Sequence, residues 1–196
     1  MIYCIDLDGT LIPNDMSVTS FVSVIRKNPL MLFPALCWFL RDGGRRAFLK
    51  YHIAQHYSFD PAALCWNREL LDFLRKEAEV PGNEIYIVSG STNEIVRKIT
   101  AYHGFFKGGF GSTARVNLVG KNKLAFIKDK FAGQEICYAG NSRTDLRVWC
   151  GVPRGIVVSD NQQLISEARA LTGVLRVFPG SWQQTSPNST GDAGQR

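Results

Sequence analysis

The chain has 196 residues and a net charge of +6, and 45% of its residues are hydrophobic and 20% charged. This length predicts one domain, or one domain with a large insertion, and the composition excludes an intrinsically disordered, collagenous or coiled-coil chain. Five scattered cysteines without a C-x-x-C pair argue against a disulfide framework or a structural zinc site, so we expect a reducing, cytoplasmic location.

The N-terminal segment predicts a short buried strand. Residues 2–7 are rich in apolar, aromatic and β-branched types, and Gly9 ends the run. Asp6 and Asp8 lie where a signal peptide would have its apolar segment, so we expect no signal peptide.

A long helical stretch follows this strand. The apolar periodicity predicts helices over residues 17–28, 30–41 and 45–57, and a fourth helix that begins at Pro61 after Asp60 and directs Leu64, Leu70, Leu71 and Leu74 to one face. About 75 residues therefore separate the first strand from the second, which is too long for an ordinary crossover. The stretch is predicted to be a helical insertion.

Strands and helices alternate in the remainder of the chain. Predicted strands cover residues 84–88, 135–139, 154–158 and 173–178, with another candidate before Lys121, and predicted helices cover residues 91–102, 123–131, 144–150 and 161–170. This alternation predicts an α/β fold with a Rossmann-like parallel sheet wound on both faces. We expect a catalytic core of residues 1–13 and 79–179, a helical cap of residues 14–78, and a disordered tail of residues 180–196.

The insertion is basic and contains the most apolar run of the chain. Residues 21–57 contain one acidic residue, Asp42, and six basic residues, which are Arg26, Lys27, Arg41, Arg45, Arg46 and Lys50. The run from Pro29 to Leu40 is too short to cross a bilayer, which takes about 20 residues. Two interpretations stay open: a buried helix of a small helical subdomain, or a surface that contacts the membrane interface or a lipid-linked substrate. No nucleic-acid-binding motif accompanies the charge, and we expect no nucleic-acid partner.

Two carboxylates follow the first strand directly. Asp6 and Asp8 are two residues apart at the carboxyl end of this strand, where open parallel sheets bind ligands. Adjacent carboxylates repel unless one is protonated or a cation lies between them, and Mg²⁺ suits one or two carboxylates together with a substrate phosphate. An ordinary solvated Asp-Gly turn is the alternative.

Three further polar segments also follow strands or open helices. Ser89-Gly90-Ser91 could cradle an anion, a lysine of Gly120-Lys121-Asn122-Lys123 could neutralise a phosphate, and Asn141 and Asp145 could face a cation. Each has an ordinary alternative: a strand-to-helix turn, a solvated lysine and a helix-start residue. Because parallel strands bring these ends to one edge, the combination is more specific than any part.

In this order the four segments resemble the motifs of the haloacid dehalogenase superfamily of phosphohydrolases. Asp6 and Asp8 in DLDGT match the nucleophile and the general acid/base, and Ser89 matches the residue that holds the phosphoryl group. Lys123 fits the third motif better than its rival Lys121, and Asn141 and Asp145 fall on the fourth. The phrases YAGNSRTDLRVW and GIVVSD are similar to the domains fused to UbiA-type prenyltransferases; no prenyltransferase follows here, which predicts a stand-alone relative.

The resemblance implies a magnesium-dependent phosphomonoester hydrolase that forms an aspartyl-phosphate on Asp6. It implies phosphate binding by Ser89, Gly90 and Lys123, and Mg²⁺ binding by Asp6, Asp8 through its backbone carbonyl, Asn141 and Asp145. The expected substrate is a small phosphorylated molecule or a polyprenyl-linked phosphate, with Arg45 and Arg46 of the basic cap as candidates for a distal charged group.

The fourth motif departs from the family pattern at one position. The family has Gly-Asp where this chain has Gly140-Asn141, and a neutral amide removes one negative charge from the metal site. This departure favours an alternative in which the chain is a non-catalytic or membrane-docking partner module with a weakened site. Phosphoryl transfer to another acceptor would use the same residues. The three histidines lack a companion acid-base motif and are expected to be structural.

Overall fold

The computed structural model describes residues 1–41 and 46–180 and contains one six-stranded parallel sheet. The strand order is β3-β2-β1-β4-β5-β6, and every neighbouring pair is parallel. The strands are β1 (Ile2–Ile5), β2 (Glu84–Thr92), β3 (Gly108–Ser112), β4 (Ile136–Gly140), β5 (Arg154–Val158) and β6 (Gly173–Phe178). The predicted Rossmann-like α/β sheet is confirmed.

Eight α-helices lie within the described residues. They are α1 (Met16–Lys27), α2 (Leu32–Arg41), α3 (Arg46–Gln55), α4 (Arg68–Ala78), α5 (Asn93–His103), α6 (Lys121–Lys130), α7 (Leu146–Trp149) and α8 (Gln162–Leu171). Short 3₁₀ turns at Pro29–Met31 and Pro61–Ala63 precede α2 and α4. In chain order, α1 to α4 therefore separate β1 from β2, as the length of the insertion predicted.

Strand β1 lies at the centre of the sheet and is buried on both faces. Successive side chains of a strand point to opposite faces, so Tyr3 and Ile5 belong to one hydrophobic core while Ile2 and Cys4 belong to the other. This explains why the segment is a continuous apolar run rather than an alternating one. The run positions the polar residues that follow it at one edge of the sheet.

Helix α4 packs against the sheet although it falls inside the predicted cap. Its residues Leu70, Leu71 and Leu74 are buried in the core that contains Tyr3 and Ile5 of β1. Each such side chain stabilises the fold by about 1.5–3 kcal/mol. The helix begins later than the sequence suggested, because the Asn67 side chain caps it at Leu70 N–H while Leu64 remains in the preceding turn. The division into core and cap at residue 78 stays a prediction.

Helices α1, α2 and α3 form a small subdomain with its own apolar contacts. Val24, Ala35 and Ile53 are buried where the three helices meet. The opposite side of α2 is exposed rather than buried, with Leu32, Phe33, Leu36 and Leu40 on its surface. No helix among the described residues has both the length and the apolar character needed to cross a bilayer.

Two predictions concern parts of the chain that the structure does not describe. The expected disordered tail, residues 180–196, lies outside the described residues except for Gly180, and Arg45 lies in the gap between the described ranges. The side chain of Arg46 likewise lies outside what the structure describes, so the role suggested for both arginines stays a prediction.

Candidate active site

The topology brings the polar motifs together at the carboxyl edge of the sheet. The chain runs outward from β1 to β2 and β3, and then returns to add β4 on the other side of β1. The crevice between β1 and β4 is therefore the switch point at which parallel α/β sheets bind ligands. An open cavity of about 340 Å³ lies there, and Asp6, Asp8, Gly90, Lys123 and Asn141 are among the residues that line it.

Asp6 lies at the end of β1 and is 9% exposed. Its backbone N–H donates to Ala139 O of β4 at 2.9 Å, which fixes its position at the switch point. Its Oδ1 lies 2.8 Å from Nζ of Lys123 and also accepts from Leu7 N–H at 2.9 Å. Burial raises the pKa of Asp6 to about 7; Lys123 opposes this shift, whereas Asp145 and Asp8 add to it.

Asp8 is held by a different set of groups. Its Oδ1 accepts from Met16 N–H at 2.8 Å, and its Oδ2 accepts from the Ser91 hydroxyl at 2.7 Å. Burial raises the pKa of Asp8, and the hydrogen bonds from Met16 and Ser91 oppose this shift. A raised pKa shifts a carboxyl towards the protonated form, the form that a general acid uses.

The loop between β1 and α1 needs a glycine directly after Asp8. Gly9 has φ = 74°, and a Cβ built there would lie 2.0 Å from Nδ2 of Asn141. The Asn141 amide thus lies against the backbone of this loop, and its Oδ1 accepts from the Thr10 hydroxyl at 3.4 Å. This close approach joins the first and fourth motifs across the switch point.

Lys123 reaches the site from the first turn of α6 and is 3% exposed. Its Nζ donates to the Tyr138 hydroxyl at 2.8 Å and lies 3.9 Å from Oδ1 of Asp145, in addition to its contact with Asp6. Lys121, its sequence rival, is exposed at the start of the helix. The geometry therefore brings Lys123, and not Lys121, to the two carboxylates.

Both oxygens of Asp145 accept hydrogen bonds from the protein. The Tyr138 hydroxyl donates to Oδ1 at 2.5 Å, and the Ser142 hydroxyl and Asn141 N–H donate to Oδ2 at 2.7 and 3.2 Å. These bonds hold the turn that carries Asn141. Both oxygens of Asp145 thus already have hydrogen-bond partners. The predicted role of Asp145 as a direct metal ligand stays a prediction.

The second motif lies in an irregular part of β2 rather than in a turn after it. The register between β2 and β3 shifts between Val88 and Thr92, and such bulges re-aim side chains at strand ends. Ser89 is fully buried, and its hydroxyl lies 3.4 Å from Oδ2 of Asp8. Gly90 lines the cavity, so of the two phosphate-binding residues predicted in this motif, Ser89 and Gly90, it is Gly90 that borders the open space.

The sequence assigned no individual role to three residues of this site, although Ser91 belongs to the predicted Ser89-Gly90-Ser91 cradle. Ser91 bonds to Asp8, Tyr138 bridges Lys123 and Asp145, and Lys50 of α3 lines the cavity and donates to Gly90 O at 3.4 Å. Tyr138 lies in an apolar strand, where a tyrosine is expected for packing alone. Lys50 could not be distinguished from the other basic residues of the insertion. Only Ser91 had a local signal, since it adjoins the Ser89-Gly90 pair.

The donor chemistry of the cavity fits a hard divalent cation. Among the described residues, no three His, Cys, Asp and Glu side chains form a ready metal-binding group. The cavity is nevertheless lined by carboxylate and amide oxygens of Asp6, Asp8 and Asn141, the ligand type that Mg²⁺ prefers. Burial is the main cause of the raised pKa of Asp6, and the carboxylates of Asp145 and Asp8 add to it, so a cation in the cavity would favour the charged form of Asp6.

Comparison with models of known protein families gives no match. Over 165 residues the chain is 32% identical to the uncharacterized protein y4nM of Sinorhizobium fredii; the match covers 84% of this chain and 31% of the relative. The chain thus spans about a third of the length of that curated relative.

Several solved structures share the fold. An apo phosphoserine phosphatase matches with a TM-score of 0.55 and 13% identity, covering 90% of this chain and 92% of the other. A phosphoserine phosphohydrolase-like protein from Francisella tularensis matches with a TM-score of 0.53 and 19% identity, covering 88% and 93%. A phospho-aspartyl intermediate analogue of phosphoserine phosphatase matches with a TM-score of 0.51 and 13% identity, covering 90% and 92%. The described residues therefore have the fold of these structures, a Rossmann-like parallel sheet with helices on both faces.

Proposed function

We propose that the chain hydrolyses phosphate monoesters, with Asp6 as the nucleophile. The observation that carries this proposal is the arrangement at the switch point: a buried carboxylate, an ammonium 2.8 Å away and a second carboxyl with a raised pKa, all beside one open cavity. The similarity in fold to phosphoserine phosphatase structures, one of them a phospho-aspartyl intermediate analogue, supports the same chemistry.

The first step transfers the phosphoryl group to the protein. A carboxylate oxygen of Asp6 forms a bond to phosphorus while the bond from phosphorus to the ester oxygen breaks. Asp8 donates its proton to the departing oxygen, which leaves as an alcohol. Lys123 stays within contact of Asp6 and offsets negative charge as the phosphoryl oxygens approach.

The second step regenerates the carboxylate of Asp6. Asp8, now deprotonated, accepts a proton from water, and the water oxygen bonds to phosphorus while the bond from phosphorus to the Asp6 oxygen breaks, which releases inorganic phosphate. The Ser91 hydroxyl, 2.7 Å from Asp8, orients the carboxyl group for both proton transfers. Gly90 borders the cavity, and its N–H would donate to the phosphoryl group.

Mg²⁺ is the cofactor that we propose for this site. Asp6, the backbone carbonyl of Asp8 and the Asn141 amide oxygen would hold it, and Asp145 would hold the turn that carries Asn141. When bound, the metal supplies positive charge that offsets the phosphoryl oxygens and the acidic cavity.

The test of Asp6 compares two conservative substitutions. Asp6→Asn removes the nucleophile and is expected to abolish magnesium-dependent release of phosphate from an aryl phosphate, whereas Asp129→Asn on the exposed surface of α6 is expected to retain it. Thermal unfolding of both variants establishes that they fold. Substantial turnover by folded Asp6→Asn would exclude Asp6 as the nucleophile.

A specific observation favours a second candidate function, a non-catalytic module. Asn141 provides no negative charge, and the Asp145 carboxylate is occupied by protein donors, which both weaken a magnesium site. The same assay decides between the two, because a non-catalytic module releases no phosphate at any magnesium concentration. Product analysis with an added alcohol as acceptor distinguishes hydrolysis from phosphoryl transfer.

The substrate is proposed to be a small phosphorylated molecule, as in the substrate-bound phosphoserine phosphatase with the same fold. A lipid-linked phosphate is a narrower proposal, supported by the apolar exposed side of the cap. Comparing rates on a short phosphosugar and its polyprenyl-linked form tests it. A strong preference for the soluble form would exclude the lipid-linked substrate.

A further inference from the structure

One side of the cap exposes an unusual density of large apolar side chains. Leu30 is 83% exposed, Phe33 76% and Leu40 64%, and Leu32 and Leu36 are each more than half exposed. These five residues, here called the α2 face, lie within eleven consecutive positions of the 3₁₀ turn and helix α2. Contiguous exposed apolar surface of this kind marks a site that contacts a partner or a membrane.

The subdomain does not need the α2 face for its own packing. The inner side of α2 already buries Ala35 against Val24 and Ile53, and the Trp38 ring stacks on His52 with centroids 4.8 Å apart. Helix α2 is thus apolar on both sides, and only its inner side packs within the subdomain. The outer surface is therefore available to something outside the described chain.

The positive charge near the α2 face favours an anionic partner. From residue 16 to residue 59 the sequence has a single acidic residue, Asp42, against six lysines and arginines, of which Lys50 lines the cavity instead. Arg26 and Lys27, which end α1 and precede the apolar turn, are both exposed. A second copy of this face would bring positive charge against positive charge, whereas anionic lipid headgroups complement it.

We propose that the α2 face docks on the surface of an anionic lipid bilayer. Helix α2 would lie in the interface with Phe33, Leu36 and Leu40 among the upper acyl chains, and with Arg26 and Lys27 at the headgroup level. The apolar run is too short to span the bilayer, so the contact is peripheral. This inference does not depend on the proposed hydrolysis, since it concerns binding in the absence of substrate.

The experiment measures cosedimentation of the full 196-residue chain with lipid vesicles. Vesicles of phosphatidylcholine with about one third phosphatidylglycerol are expected to bind the chain, and pure phosphatidylcholine to bind it much less. Raising the salt concentration is expected to release it. Equal binding to both kinds of vesicle, or no binding to either, would overturn the proposal.

Matched variants locate the contact. Phe33→Ser and Leu36→Ser are each expected to lower the partition coefficient about tenfold, whereas Leu171→Ser, at an exposed leucine of α8, should leave it unchanged. Arg26→Glu with Lys27→Glu should weaken binding to anionic vesicles, in contrast to Lys128→Glu on α6. All substituted positions are on the surface, and circular dichroism checks that each variant folds.

Two results would show that the α2 face is not the lipid-binding surface. If Leu171→Ser weakens vesicle binding as much as Phe33→Ser, the contact is not at the α2 face. If sedimentation velocity shows a dimer that Phe33→Ser dissociates, the face joins two copies of the chain. Either result overturns the proposed lipid contact.

Discussion

Lys123 and Tyr138 connect three of the four motifs through buried hydrogen bonds. The ammonium contacts Asp6 and the Tyr138 hydroxyl at 2.8 Å each, and that hydroxyl donates onward to Asp145. Burial and the neighbouring carboxylates raise the pKa of Tyr138 well above its usual range, so its hydroxyl stays a donor. In a buried network each partner limits the freedom of the next.

We expect Tyr138→Phe to destabilise the fold by about 1–3 kcal/mol, because both Lys123 and Asp145 lose a buried hydrogen-bond partner. Urea unfolding measures the loss. Tyr102→Phe, at a half-exposed tyrosine, is the control and is expected to change stability by less than about 0.5 kcal/mol. Equal stability of the two variants would show that the Tyr138 hydroxyl contributes nothing to the network.

At this scale a local sequence pattern predicts Asp6, Asp8 and Asn141 as residues of the site. Asp6, Asp8 and Asn141 follow strands directly, and their approach to one cavity follows from parallel topology alone. Tyr138 could not be recognised in the same way, because a tyrosine in a buried strand is ordinary for packing. Its function depends on two partners, Lys123 and Asp145, whose approach to its hydroxyl no local pattern encodes.

The loop from Asp8 to the start of α1 sets the geometry of the site at the scale of elements. Gly9 permits a left-handed turn and leaves room for the Asn141 side chain. A side chain at this position would meet the end of a flexible amide, which can move aside. The expected damage is therefore greater to the site than to stability.

A pair of glycine substitutions separates the two effects. Gly9→Ala and Gly82→Ala both place a Cβ on a residue with positive φ, and each is expected to cost about 1–2 kcal/mol of stability. A Cβ at Gly82 would meet no atom within 4 Å, so this variant reports backbone strain alone. Phosphatase activity should fall about a hundredfold only in Gly9→Ala, through displacement of Asn141.

Activity and thermal unfolding, measured for both glycine variants, distinguish loss of stability from damage to the site. If both glycine variants lose activity in proportion to their stability, the contact between Gly9 and Asn141 has no special importance. If Gly9→Ala is inactive while it remains as stable as Gly82→Ala, the close approach of the first and fourth motifs is needed for the reaction.

Elements with strong apolar patterns were predicted well, and irregular ones were not. Strands β5 and β6 have the predicted bounds, because buried parallel strands are short apolar runs between turns. The extension of β2 to Thr92 and its register shift were missed, since the run Ser89-Gly90-Ser91 resembles a turn. The start of α4 was also misplaced, because Asp60 and Pro61 mimic a helix start that here produces a single 3₁₀ turn.

The response of the whole molecule to pH depends on a histidine remote from the cavity motifs. His103 packs among aromatic rings of Trp66, Tyr102, Phe105 and Phe106. Within the described residues its Nε2 has no hydrogen-bond partner. Burial, and secondarily the charge of Arg75, lowers the pKa of His103 to about 4.

The direction of this shift fixes its effect on stability. The unfolded chain binds a proton at the usual histidine pKa of about 6.5, whereas the folded chain resists protonation until about 4. The contribution of His103 to stability is therefore complete above about pH 6.5 and declines as the pH falls towards 4. Acidification favours unfolding through this residue.

We expect His103→Gln to reduce the loss of stability between about pH 7 and pH 4.5 relative to the unsubstituted chain. Urea unfolding at a series of pH values measures it. Asp6, whose pKa burial raises to about 7, titrates in an overlapping range with the opposite sign, and burial raises the pKa of Asp8 as well. The difference between the two proteins cancels the contribution of both carboxyls. Parallel pH curves for both proteins would contradict the role of His103.

For the whole molecule, composition and alternation predicted the fold class, and the length of the insertion predicted where the additional helices enter. The exposure of the outer side of α2 could not be predicted, because an apolar run has the same sequence whether it is covered or not. The positions of α1 and α3 show that one side of the run is covered by these helices and that the other side is exposed.

The central position of β1 has a consequence for the order in which the protein can assemble. Its first residue in the sheet, Ile2, pairs with Glu84 on one side and Ile136 on the other, so both partners leave the ribosome long after β1 does. Contacts this distant along the chain slow folding. A nascent chain that ends before β4 would expose an unpaired edge of β1 and lack Asn141 and Asp145, so cotranslational chaperones would encounter this strand before the pocket exists.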